Sequence, residues 1–283
     1  MTKNTHHPIS RALLTAVLQV AESAGREIMA IYANTSSWDT VTKADESPLT
    51  AADIAAHHRI VSELALLDEP WADLPVLSEE SSPEELAARR DWPACWLVDP
   101  LDGTKEFIAR NGEFSVNIAL IVDQEAVLGV VHGPASGISY VAAKGLGSFR
   151  VDASGWQSIY SANLPAVGER PIFLTVSRRH GLKQLAQFEQ AVSSAFGAVH
   201  SIPAGSAFKI CAVAEGLADA YPRFGPTSEW DTAAAQVVLE VAGGQLVDQQ
   251  GRPFRYNCRD TLLNASFMAV GSEPQHWLRY WPT

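Results

Sequence analysis

The chain has 283 residues, 21 basic and 32 acidic side chains, and a formal net charge of −11. Apolar residues make up 47% and charged residues 19%, the latter below the roughly 25% of an average soluble domain, so a sizeable core is expected and disorder is excluded. The acidic balance also excludes a nucleic-acid binder held by bulk charge, because neutralising phosphates requires a basic surface.

No uninterrupted run of about 18 apolar residues occurs, so no membrane span is expected. The polar stretch MTKNTHHPIS has no apolar core, so no secretory signal is expected either. Cys95, Cys211 and Cys258 are far apart and outside CxxC spacing. That speaks against structural zinc and a disulfide framework, and it fits a reducing cytoplasm.

In chain order, residues 9–32 predict an amphipathic helix, with Leu13, Val17, Val20, Ala24, Ile28 and Ile31 at spacings of three and four and Pro8 suited to a first turn. Its apolar face leaves two readings, internal packing or a peripheral contact on the cytoplasmic side of a membrane. The polar stretch 34–48 reads as loop or irregular hairpin. A second helix is expected from Thr50 to about Leu67, with Thr50 and Asp53 resembling a capping box. Residues 96–98 read as a buried strand ending at Asp99-Pro100. Val116, Ile118, Leu120 and Val122 alternate with Ser115, Asn117 and Ala119, and a polar turn leads into 126–132, which is a hairpin signal. Residues 139–143 and 148–151 form a further pair.

Residues 152–170 carry no clear period and mark the expected boundary between two units, an α+β unit over 1–155 and an α/β unit over 156–283. In the second unit, strands over 172–176, 198–202 and 218–221 alternate with helices over 182–196, 207–215 and 232–242, the last closed by Gly243-Gly244. Two sheets and several helix layers follow from this pattern.

Four acidic patterns stand out: Asp53 in TAAD, Glu79-Glu80 in VLSEES, Asp99 and Asp102 in WLVDPLDGT, and Asp231 in EWDTAAA. In DPLDGT, Pro100 forces the strand to turn and Asp102 returns a second carboxylate beside Asp99. Gly103 lets backbone approach a ligand, and Thr104 supplies a hydroxyl at a helix start. Two such carboxylates repel each other, and a hard cation such as Mg²⁺ offsets that with oxygen ligands that include backbone carbonyls. The alternatives stay open at this level: Asp-Pro and Asp-Gly turns, a solvated Glu79-Glu80 turn before a helix start at Ser82-Pro83, and helix caps at Asp53 and Asp231.

Taken together, TAAD, SEE, WLVDPLDGT and WDTAAA before Gly-Gly resemble the inositol monophosphatase superfamily of Mg²⁺-dependent, lithium-sensitive phosphatases, in an order that covers residues 43–244. Within it, SPLTAAD, DPLDGTKEFIARNGEFSVNIALI, VSRRH, AGSAFKICAVAEG and YPRFGPTSEWDTAAA are most similar to the bacterial 3′(2′),5′-bisphosphate nucleotidase group, the CysQ type. The resemblance implies a layered αβαβα sandwich and hydrolysis of the 3′-phosphate of adenosine 3′,5′-bisphosphate to AMP, extending to its sulfated form. It implies two to three Mg²⁺ ions. Glu79, Asp99 and the Leu101 carbonyl hold one, Asp99, Asp102 and Asp231 hold a second, and a third sits near Glu79. It further implies that Thr104 orients the attacking water, with Asp53 and Glu79 as proton acceptors, and that Gly103 and Thr104 amides contact phosphate. Where inositol enzymes carry a Glu for a sugar hydroxyl, this chain has Phe224, and at His57 it departs from a frequent Glu.

For the nucleotide itself, Gly205 and Ser206 are candidates at an expected helix start. Ser177, Arg178, His180, Lys209 and Arg223 are candidates for the 5′-phosphate or the adenine, against a reading as ordinary surface charge. Trp230 reads as core, and Glu80 as a support of the metal shell. Two other functions compete: an inositol or sugar monophosphatase, and a non-catalytic metal or nucleotide sensor. Retention of Thr104 and of all the carboxylates weighs against the sensor.

Overall fold

The computed structural model describes residues 8–34, 40–42, 48–178 and 181–282. Helix α1 (Arg11–Ala33) begins after Ser10, whose Oγ accepts from Leu13 N at 3.1 Å, so Ser10 rather than Pro8 sets its start. Strands β1 (Thr40–Thr42) and β2 (Pro48–Thr50) pair antiparallel within the polar stretch and lead directly into α2 (Ala51–Leu64). The side chain of Thr50 and the stretch Lys43-Ala44-Asp45 fall outside the described parts.

After β3 (Val76–Ser78), the short α3 (Pro83–Ala88) opens on a capping box of Ser82 and Glu85. Then come β4 (Ala94–Asp102), α4 (Thr104–Ile108), β5 (Ser115–Val122), β6 (Glu125–Gly133), β7 (Ile138–Ala143), β8 (Gly147–Asp152) and β9 (Gly155–Ser158). Strands β3 to β9 form one seven-stranded sheet in sequence order, parallel only between β3 and β4. Strand β9 lies inside the stretch without a period, because four residues are too few to show one.

The chain then changes sheet. Strand β10 (Ile172–Val176), α5 (Leu182–Phe196), β11 (Val199–Pro203), α6 (Phe208–Ala214) and β12 (Ala220–Arg223) are followed by β13 (Thr227–Ser228) and α7 (Glu229–Val241). Strands β14 (Gln245–Asp248), β15 (Leu263–Asn264) and β16 (Phe267–Val270) and helix α8 (Pro274–Leu278) complete it. The second sheet runs β11-β10-β12-β16-β14, with β10 parallel to both neighbours and β16 antiparallel to both of its own. The alternating βα pattern thus gives the parallel part, and β14 and β16 add an antiparallel edge that the sequence pattern did not predict.

Five layers result. Helices α1 and α2 pack on one face of the large sheet through Trp96, Val98, Val116, Ile118 and Val130. Their alternating neighbours Cys95, Leu97, Ala119 and Val131 face a middle layer of α6 and α7. The second sheet closes that layer with Tyr221, Leu246 and Phe267, and carries α5 and α8 on its far face. The large sheet is therefore apolar on both faces, which is why β4 reads as one apolar run. Each valine, leucine or isoleucine among them, fully buried, contributes about 1.5–3 kcal/mol. The apolar stripe of α1 is used up in this packing: Leu14, Val17, Ala21, Ala24 and Ile28 are all 0% exposed. Helix α7 meets β6 backbone to backbone at Gly129, where a Cβ would lie 2.9 Å from the carbonyl carbon of Ala234. No helix among the described residues is long and apolar enough to cross a membrane.

Candidate active site

Strand alternation sets the first problem. Residues three apart on a regular strand point to opposite faces, yet Asp99 and Asp102 must converge to share a ligand. The register solves this: Asp99 pairs with Asn117 and Asp102 with Ser115, so three steps on β4 span two on β5. Such a bulge adds one residue and re-aims the side chain beyond it. Asp99 is 1% exposed, and its Oδ1 accepts from Leu101 N at 3.1 Å. Gly103 then takes φ +93°, a conformation that a side chain disfavours, to start α4.

Three other elements add acids. Parallel pairing of Ser78 with Val98 places Glu79 beside Asp99, and Glu79 N donates to Val98 O at 3.2 Å. Asp53 sits buried in the first turn of α2, where its Oδ1 accepts from Thr104 Oγ1 at 3.4 Å. Asp231 is the third residue of α7, which begins three residues earlier than the sequence pattern suggests because β13 delivers the chain to it. Its Oδ2 accepts from Ser228 N at 2.8 Å, so the carboxylate caps the helix with one oxygen. Carboxylate oxygens of Asp99, Asp102 and Asp231 lie within 4.8 Å of one another.

The electrostatics follow from this crowding. Burial, and then the charges of Glu79, Asp102, Asp231 and Asp53, push the Asp99 carboxyl well above the usual range. Burial and then Asp102 push Asp231 up to about 7. Carboxylates crowded this closely need a cation to share. An all-oxygen set of this kind, with the Leu101 carbonyl adjoining, fits a hard divalent ion. The Leu101 carbonyl also accepts from Thr104 Oγ1 at 3.4 Å, so the Thr104 hydroxyl faces both it and Asp53.

Asp102 is held by Ser206, which the sequence singled out for the nucleotide, and by Asn117 and Ser115, which it did not. Ser206 Oγ donates to its Oδ2 at 2.6 Å, and Asn117 Nδ2 to the same oxygen at 3.3 Å. Ser115 Oγ donates to Asn117 Oδ1 at 2.8 Å. The signal was there: Ser115 and Asn117 are polar positions in a strand that is buried along nearly its whole length. His57 Nδ1 meets Ser78 Oγ at 3.0 Å and so ties α2 to the strand that delivers Glu79.

The nucleotide candidates separate. Asp102, Asp231, Ser177, Ser206, Lys209 and Arg223 line one cavity of about 140 Å³, and Gly103, Gly205 and Arg178 reach it too. Lys209 is 7% exposed, its Nζ donates to Ser206 O at 2.6 Å, and burial pulls it down to about 8. Arg223 is 9% exposed and donates to Ser177 Oγ at 3.3 Å and Pro226 O at 3.0 Å. Its Nε meets no acceptor in hydrogen-bonding geometry among the described residues. Arg178 is already engaged, with both terminal nitrogens on Glu113 and one also on Pro203 O at 3.1 Å. Gly205 presses on Glu113, whose Cβ would stand 2.8 Å from an added Cβ. Ser206 takes φ +54° two residues before α6. His180 lies outside the described residues. Trp230 packs against the core of the middle layer.

The sequence profile of the inositol monophosphatase family matches residues 10–276. The chain belongs to the inositol monophosphatase family. Within this family, it is 44% identical over 257 residues to the 3′(2′),5′-bisphosphate nucleotidase CysQ of Escherichia coli K12, covering 90% of this chain and 98% of that one. It is 42% identical, with the same coverage, to the CysQ nucleotidase of Salmonella typhimurium. Among solved structures, CysQ from Bacteroides thetaiotaomicron, a bacterial member of the inositol monophosphatase family, superposes with a TM-score of 0.80 at 37% identity, covering 94% of this chain and all of that one. The SuhB protein of Bartonella henselae shares the family fold at a TM-score of 0.76 and 22% identity, covering 96% and 99% of the two chains.

Proposed function

We propose that this chain is a Mg²⁺-dependent 3′(2′),5′-bisphosphate nucleotidase. It hydrolyses the 3′-phosphate of adenosine 3′,5′-bisphosphate to AMP and phosphate, and also accepts the 5′-phosphosulfate analogue. The observation that carries this reading is one cavity lined both by acids of the cluster, Asp102 and Asp231, and by two buried cations, Lys209 and Arg223. A monophosphate substrate gives the second pair nothing to bind, whereas a bisphosphate engages both. The identity to CysQ nucleotidases over nine-tenths of the chain supports the same substrate.

Glu79, Asp99, the Leu101 carbonyl, Asp102 and Asp231 would hold two Mg²⁺ ions, with a third near Glu79. When bound, magnesium supplies the positive charge that admits a phosphate dianion to an acidic pocket and acidifies the attacking water. Thr104 Oγ1 orients that water, and Asp53, aided by Glu79, takes its proton through the Thr104 hydroxyl. The water oxygen forms the new bond to phosphorus as the bond to the 3′ oxygen breaks, and the departing oxygen takes a proton from solvent. Gly103 and Thr104 amides steady the phosphate oxygens. Ser206, Lys209, Arg223 and Ser177 hold the nucleotide and its 5′-phosphate, with Gly205 leaving room beside Glu113. Positioning and charge stabilisation carry most of the rate. The free thiols of Cys95, Cys211 and Cys258 support a cytoplasmic workplace.

Phe224 bears on the inositol alternative. Its ring is buried against Phe188 and Trp281, so an apolar side chain stands where an inositol enzyme would offer a carboxylate. The deciding assay measures phosphate release from adenosine 3′,5′-bisphosphate and from inositol 1-phosphate, each with and without Mg²⁺. Preference for the inositol ester would overturn the proposal, and turnover of neither with Mg²⁺-supported nucleotide binding would favour a sensor.

A further inference from the structure

Beneath the first turn of α7 lies a buried polar cluster that the reaction above does not use. Glu229, two residues before Asp231, is 0% exposed. Its Oε2 accepts from Asn257 N at 2.6 Å, and its Oε1 from Arg259 Nη2 at 2.9 Å. The same Arg259 nitrogen donates to Asn264 Oδ1 at 2.8 Å. Asn264 in turn donates from Nδ2 to Ser228 O at 2.7 Å and to Thr232 Oγ1 at 3.0 Å, which brackets Asp231 on both sides along the chain. Arg89, 3% exposed, follows α3 and closes the cluster from the Glu79 side of the chain. It donates to Asn257 Oδ1 at 2.9 Å and to the carbonyls of Arg259 and Asp260 at 2.8 and 2.9 Å. Asn257 Nδ2 returns a bond to Arg89 O at 2.6 Å, from a residue held at φ +53°.

Well-packed apolar residues would fill this volume at equal or lower cost, because burying charges is expensive even when they pair. What the cluster provides is geometry. Asp231 has one oxygen committed to Ser228 N. The direction of the other therefore depends on where the helix start sits, and Asn264 and Glu229 fix that start. Partners of this kind, one step removed from a ligand, orient it and tune its affinity.

We propose that Arg89, Asn257, Glu229, Arg259 and Asn264 form a positioning clamp that holds Asp231 at the correct distance from Asp99 and Asp102 and thereby sets the affinity of the site for a divalent cation. This rests on reading those three aspartates as a cation site. The test is Mg²⁺ titration by calorimetry on the full chain, with no nucleotide present, for the parent, Arg259→Lys, Asn264→Ala and Glu229→Gln. Lysine keeps the charge, but its shorter, flexible stem does not place the ammonium at the Nη2 position from which both Glu229 and Asn264 are served. Each variant that folds, judged by circular dichroism well below its melting temperature, should bind Mg²⁺ on the order of 10–100-fold more weakly. If Glu229→Gln fails to fold, the two milder variants decide. A cluster with a purely structural role would lower the melting temperature and leave the Mg²⁺ dissociation constant within twofold of the parent, which would overturn the proposal. A parent chain that binds no Mg²⁺ would overturn the cation site, and the clamp with it.

Discussion

Gly129→Ala adds one methyl group to β6 at the point where α7 rests on it. The new Cβ would stand 2.9 Å from the carbonyl carbon and 3.0 Å from the Cα of Ala234, with the carbonyl oxygen nearer still. The oxygen, at 2.2 Å, sets the requirement: carbon–oxygen contacts settle at about 3.3–3.6 Å, so the helix must retreat by about 1.1–1.4 Å. Ala234 is three residues from Asp231, so the carboxylate moves with it. Overpacking of this size costs about 1–3 kcal/mol of stability. The larger effect falls on chemistry, because a displacement of about 1 Å in a catalytic assembly costs on the order of 100-fold in rate. The assay is phosphate release from adenosine 3′,5′-bisphosphate across a Mg²⁺ series, beside a thermal melt. We expect a folded protein with a modestly lower melting temperature, a large loss of kcat and a higher Mg²⁺ requirement. Ala234→Gly should not rescue it, because the obstructing atoms belong to the backbone. Wild-type turnover and Mg²⁺ dependence in the variant would refute the reasoning.

Asp102→Asn removes a charge at nearly constant volume; turnover should fall by more than about 100-fold, beyond the range typical of outer-shell partners, while circular dichroism stays unchanged. Lys209→Met should raise KM for the bisphosphate by at least about tenfold, since a hydrogen bond to a charged group is worth roughly 1.5–3 kcal/mol, and an unchanged KM would remove Lys209 from the nucleotide site. His132 predicts an acid-side loss of stability. Burial, and then Arg26, lower it to about 4. Between that value and an unfolded pKa of about 6.5, the unfolded chain binds more protons, so stability is complete above about 6.5 and declines as pH falls towards 4. The loss should reach roughly 2–4 kcal/mol and should be absent from His132→Gln, as chemical denaturation at a series of pH values would reveal.

The elements with long periods were legible in the sequence. The spacing over 9–32 and 182–196 gave α1 and α5 nearly to the residue, because each helix buries one stripe in a layered interior. Strand β4 was visible as an apolar run for the opposite reason, being covered on both faces. Strands β9, β13 and β15 were not visible, since two to four residues carry no period and depend on partners distant in sequence. Of the site, the acids announced themselves through DPLDGT and EWDT, where rigid turns and a helix start restrict the backbone. Ser115 and Asn117 were hidden, because their role depends on the register of β5 against β4. The state of Arg178 was equally hidden: only the fold brings Glu113 to it.

The bulge between Asp99 and Asp102 acts as a change of phase in the strand. Straightening the strand with all three steps kept would do more than trim a turn: it would restore even alternation and send the second carboxylate to the other side of the sheet. A one-residue insertion that the bulge does not absorb is therefore an all-or-nothing event, whereas most loops tolerate insertions by degrees. A chain of this fold that carried both aspartates three apart on an unbulged strand would keep the acids in its composition and lose the site.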